Sequence, residues 1–155
     1  MEFLAELHPQ IVHFPIALLL TYILLELIGI VFRKEFYQKA AHLLLFLGVI
    51  GAFFAVLTGN QAHTAYVYWN DSSSELFNAH QTFAILTVWY FTGMLVLRTY
   101  FVVKEKFSSS YKYIILALAL FGCYLIYQTA EYGGDLIKKF GVGTELNFNL
   151  KEPND

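Results

Sequence analysis

A chain of 155 residues has room for one domain and not for two. Hydrophobic residues make up 57% and charged residues only 14%, against roughly 25% charged in an ordinary soluble domain, so the surface a water-soluble fold needs is missing. A net charge of -2 with no Lys/Arg run speaks against a nucleic-acid partner, and the single cysteine, Cys123, rules out an internal disulfide or a cysteine-based metal cluster.

Lipid removes the need for polar surface, and the apolar residues fall into runs of the right length. A helical span takes about 20 mostly apolar residues. The run at 11–32 meets that length with one charge, Glu26. It follows Glu2 and Glu6 with no Lys or Arg, which is not the pattern of a secretory signal, and no lipidation motif is present. The second run, 40–57, is uncharged and carries Gly48, Gly51, Ala52 and Ala55, small residues that let a neighbouring helix approach closely. The third, 80–103, holds only Arg98 near its end. The fourth, 113–130, is again uncharged, and Gly133 and Gly134 are expected to stop it. Backbone groups in lipid must be satisfied within the segment, so each run is read as a helix.

The connections set the topology. Residues 33–39 are too short for anything but an antiparallel hairpin, and 104–112, with Ser108-Ser109-Ser110, return the chain on that same side. Residues 58–79 read as a longer polar loop, with Gly59, Asn60, Asn70 and Asp71 as turn formers. The expectation is an all-α integral membrane four-helix bundle, up-and-down, with both termini on one side: a transmembrane domain at 1–144 and a polar tail at 145–155. Arg33, Lys34, Lys39, Arg98, Lys104, Lys106 and Lys112 lie on the short-loop side, against Lys138, Lys139 and Lys151 on the other. The positive-inside rule then makes the short loops cytoplasmic and both termini periplasmic, in a bacterial inner membrane.

This topology gathers the histidines. His8, His13, His63 and His80 fall in one outer layer, and only His42 lies at the cytoplasmic end. Imidazole ligates haem iron, copper and zinc, and ionisable residues at membrane depth point to function. His8 and His13 are about 140° apart around a continuous helix, so both cannot face one core. Pro9 and Pro15 suggest that the helix starts near them, which makes His13 the better-fixed residue and His8 a lead-in. His80 is read as opening the third helix at a similar depth. A pair such as His13 and His80, facing each other across a bundle, suits the axial positions of haem b. His8 and His63 would then be supporting groups or part of a second, weaker metal site. Lys138 and Lys139 would meet propionates, and Gly133 and Gly134 would let a porphyrin edge approach. The plainer reading is that helix-end histidines cap, bond loop carbonyls or sit in the interface, His63 especially. At the other end, Glu26 and His42 are expected to form a buried polar pair. Thr21, Thr87, Thr92, Tyr90 and Gln128 read as interhelical glue.

The stretch HPQIVHFPIALLL, His8 to Leu20, resembles the opening of domain-of-unknown-function family 2231, a set of bacterial four-helix membrane proteins that begin His-Pro-x-x-Val-His-Phe-Pro. Leu57-Thr58-Gly59, His80, and the stretch from Tyr132-Gly133-Gly134 to Gly141-Val142-Gly143 are similar to later family positions. Phe140 stands where members often carry a histidine. Relatives occur beside or fused to c-type cytochrome and Rieske domains, so the resemblance implies a redox partner of that kind. Two functions follow as expectations: a haem b-binding electron-transfer subunit, or a non-catalytic scaffold with structural histidines or one Zn or Cu site. A transporter would need a homo-oligomer, since four short helices enclose little. An enzyme has no support from any nucleophile–base motif.

Overall fold

The computed structural model describes residues 2–104 and 109–144; the polar tail at 145–155 and most of the Ser108 loop lie outside them. Five helical segments follow one another: α1 (Glu2–Ile11), α2 (His13–Val31), α3 (Glu35–Ala65), α4 (Asp71–Val103) and α5 (Ser109–Phe140). α1 and α2 are one span with a break at Val12. Pro15 offers no N–H to the Ile11 carbonyl and its ring crowds that oxygen, so the ladder is interrupted there while Val12 still bonds back to His8. Four membrane-length helices result: Leu4–Val31, Glu35–Ala65, Asp71–Val103 and Tyr111–Phe140.

The helices alternate in direction around a ring. α2 packs on α3 and α5, and α4 packs on α3 and α5, the pattern of an up-and-down bundle. Its inner stripe is Leu19, Tyr22, Ile23, Ala41, Leu45, Val49, Phe91, Met94, Ile115, Ala119 and Ile126. The outward face is as apolar as the core: Phe14, Phe54, Trp89, Val96 and Tyr113 are all exposed, which water would penalise and acyl chains do not. The small residues of α3 act as expected. A methyl group on Gly48 would lie 2.6 Å from Leu19 Cδ2, so glycine is what allows α2 and α3 their close approach. Gly122 does the same for α5, where the ring of Phe91 occupies the space of a side chain.

Several connections differ from the reading of the sequence. The polar stretch 58–79 is mostly helix: α3 continues to Ala65 and α4 begins at Asp71, capped by an Asn70–Ser73 capping box. Polar residues in these turns have left the apolar layer without leaving the helix, because helical hydrogen bonds do not require lipid. Gly133 and Gly134 do not stop the last helix. It runs on to Phe140 and closes at Gly141, whose φ of 67° is the left-handed conformation that glycine tolerates. His80 accordingly sits nine residues inside α4, and His63 on the last turns of α3, not in a loop.

Candidate functional site

Two polar centres occupy opposite ends of this apolar bundle. The first is at the end shared by α1, the close of α3, the start of α4 and the close of α5, where four histidines lie.

His8 projects from α1 onto α3. Its Nδ1 is 3.0 Å from Thr58 Oγ1, and that hydroxyl also reaches the carbonyls of Phe54 and Ala55. The threonine proton is committed to those carbonyls, so its lone pairs accept from the His8 Nδ1–H. The Cε1 edge of the ring rests against Gly59, at 3.0 Å from where a Cβ would stand. His80 repeats this arrangement between α4 and α5. Its Nδ1 donates to the Thr129 carbonyl at 3.0 Å, and its Cε1 edge lies 3.0 Å from the Cβ position of Gly133. Thr129 is further tied to Thr87 by a 3.0 Å hydroxyl contact. The spacings explain the convergence: His80 and Thr87 are seven apart on α4, Thr129 and Gly133 four apart on α5, so each pair shares one helix face. The two imidazoles lie within electrostatic reach of each other.

His13 is placed differently. It is exposed, and its Nδ1 donates to the Pro9 carbonyl of its own helix at 2.6 Å. His8 and His80 are thus each seated against a neighbouring helix, while His13 is exposed on the outward side of the span. The sequence reading gave His8 the lesser role because it started the helix after Pro9. Proline sits inside α1 instead, and His8 is already helical. His63 is exposed and stacked on Phe77, with ring centroids 4.1 Å apart, beside Trp69 at 4.9 Å. It belongs to an aromatic cluster and not to the His8–His80 face. Gly134 has nothing within 4 Å of its Cβ position, Lys138 is exposed, and Lys139 is paired with Asp135 at 2.8 Å.

These hydrogen bonds have a common consequence. In His8, His13 and His80 the Nδ1–H is held by a protein oxygen, which fixes the tautomer and leaves the Nε2 lone pair as the ligating nitrogen. This is the arrangement seen behind metal-bound imidazoles, where the second nitrogen is oriented by a carbonyl or carboxylate. Imidazole nitrogens held in this way are of the kind that haem iron or a transition-metal ion accepts. Among the described residues no group of three or more His, Cys, Asp or Glu side chains is close enough to enclose a metal without other ligands.

The second centre was not legible as such in the sequence. Glu26 on α2 does not pair with His42 but with Arg98 on α4. Arg98 Nε and Nη2 donate to Glu26 Oε2 at 3.0 and 2.6 Å. Nη2 also donates to the Gln38 carbonyl at 2.9 Å, and Nη1 lies 3.4 Å from His42 Nδ1. Both charges are withdrawn from solvent, Glu26 at 0% and Arg98 at 1% exposure. Arg98 read as a basic residue at a helix end; its sign in the sequence was that it and Glu26 are the charges within the apolar runs.

The sequence profile of a family described as "Predicted membrane protein (DUF2231)" matches residues 5–146. No curated protein matches the chain. No solved structure matches it either.

Proposed function

The chain belongs to the DUF2231 family of predicted membrane proteins, and from that premise we propose that it is a membrane electron-transfer subunit that holds haem b through histidines at the terminus end of the bundle. The observation that carries this reading is the matched pair His8 and His80, each with Nδ1 fixed by an oxygen and its ring edge seated on a glycine. Haem would supply one-electron chemistry there. The protein's part is to fix the tautomer through Thr58 and Thr129, to keep the site apolar, and to hold the two imidazoles on rigid helices. His13, with the same tautomer but an outward ring, is the alternative partner for His80. Of the two lysines near the close of α5, Lys138 is exposed and could meet a propionate, while Lys139 is engaged by Asp135. The positive-inside asymmetry supports placing this end in the periplasm of a bacterial inner membrane, where a c-type cytochrome or Rieske-type partner would reach it.

A second reading has its own observation. The Nδ1 atoms of His8 and His80 already bond within the protein, and the glycine contacts are tight, which is also what a purely structural lock between helices requires. In that case the chain is a non-catalytic scaffold, with or without one Zn or Cu ion.

An optical spectrum of the purified protein, oxidised and reduced, separates the two. The haem reading expects a Soret band that His80→Ala abolishes and that either His8→Ala or His13→Ala abolishes with it. A colourless preparation, or a band indifferent to all three substitutions, overturns it.

A further inference from the structure

The Glu26–Arg98 centre is incomplete as it stands. The two bonds that Arg98 makes to Glu26 both go to one carboxylate oxygen, Oε2. The other, Glu26 Oε1, and the hydroxyl of Tyr22 are both buried, and neither has a hydrogen-bond partner among the described residues. Tyr22 is one turn before Glu26 on α2, on the same face, and its side chain is fully enclosed at 0% exposure. Its hydroxyl stands beside the Arg98 guanidinium, close to bonding reach but without the geometry of a full hydrogen bond, and within electrostatic reach of Glu26 and Tyr90. Two strong polar atoms left unpaired in one apolar interior cost about 1–3 kcal/mol each, and native proteins fill such gaps with water.

We propose that Tyr22 Oη and Glu26 Oε1 together bind a water molecule inside the bundle. The chemistry of the surrounding groups selects that ligand. Glu26 is already neutralised by Arg98, and Lys112 on α5 reaches it electrostatically as well, so a cation would add uncompensated positive charge. An anion would face Oε1 directly. The ligand must donate to a carboxylate oxygen and exchange a hydrogen bond with a phenol, which water does with both groups at once. Arg98 ties the site to Gln38 and His42 of α3, and His42 is half-buried, so the hydrated centre joins α2, α3 and α4 close to the short-loop surface.

The test is an infrared difference spectrum of the purified full-length protein in lipid, taken between ordinary water and H2-18O. The wild type is expected to show an isotope-sensitive O–H stretching band of a strongly bonded internal water. Tyr22→Phe, which removes one oxygen and no volume that packing depends on, is expected to lose or shift that band, and Glu26→Gln to shift it. Thr92→Val, a polar change elsewhere on α4, should leave it in place. A wild type with no such band overturns the proposal, as does a band unchanged in Tyr22→Phe. The absence of the band in the wild type would overturn the proposal without any variant having to fold.

Discussion

The two ends of the bundle place polar groups in apolar surroundings in opposite ways. At the short-loop end the groups form an ion pair sealed from solvent: Glu26 and Arg98 meet across 72 positions of sequence. At the terminus end His8 and His80 are imidazoles, partly buried, each tied by one nitrogen and edged by a glycine. A charge in lipid tolerates no vacancy in its pairing, so the first centre is bound to be a clamp. A neutral imidazole with one nitrogen committed is stable and still has a lone pair to give, so the second is suited to a ligand. The same helices carry both, and the difference lies in how much each polar group loses if its partner goes.

That contrast is broken most sharply at Arg98. Arg98→Leu strands the Glu26 carboxylate, and a loss of about 3–5 kcal/mol is expected in chemical unfolding monitored in detergent. Adding Glu26→Leu should recover most of that loss, because the pair removed together leaves no buried charge; a double variant as unstable as the single would mean the polar contacts themselves, and not their balance, hold the helices. Gly122→Ala comes next, with about 1–3 kcal/mol of overpacking, since its methyl group would run into the Phe91 ring. Gly134→Ala, which meets nothing within 4 Å, should be neutral or slightly stabilising in the same assay. At the terminus end the stability cost should be small and the ligand effect large. Thr58→Val removes the acceptor of the His8 Nδ1–H for about 1 kcal/mol. If His8 is a ligand, cofactor or metal affinity should nevertheless fall roughly 10–100-fold, read by titration of the purified protein. The smallest effect belongs to the exposed Lys39–Glu35 pair, where Lys39→Ala should change stability by no more than about 0.5 kcal/mol.

The apolar runs were readable because lipid imposes a simple demand, a helix of sufficient length with few charges, and hydropathy alone reports it. Helix ends were less readable. Asn70, Asp71 and the serines after it read as a loop, yet form a capping box and the first turn of α4, because the same side chains that favour turns also cap helices. Gly133 and Gly134 looked like a stop, and Gly133 proved to be a seat for His80, since a glycine inside a helix also marks close approach.

Sequence by itself determined the class of this protein: an all-α membrane bundle with four crossings, termini on one side and four histidines gathered at that end. These follow from composition, length and parity, which need no knowledge of which faces meet. The tertiary structure decided the partners. That His8 turns onto α3, with His13 outside, depends on α1 being helical through Pro9 and on the rotation of that helix about its axis. That Glu26 meets Arg98 instead of His42 depends on the register between α2 and α4, two helices far apart in the chain. Rotation and register are set by the packing of Leu19 on Gly48 and Phe91 on Gly122, contacts between helices that no single helix encodes.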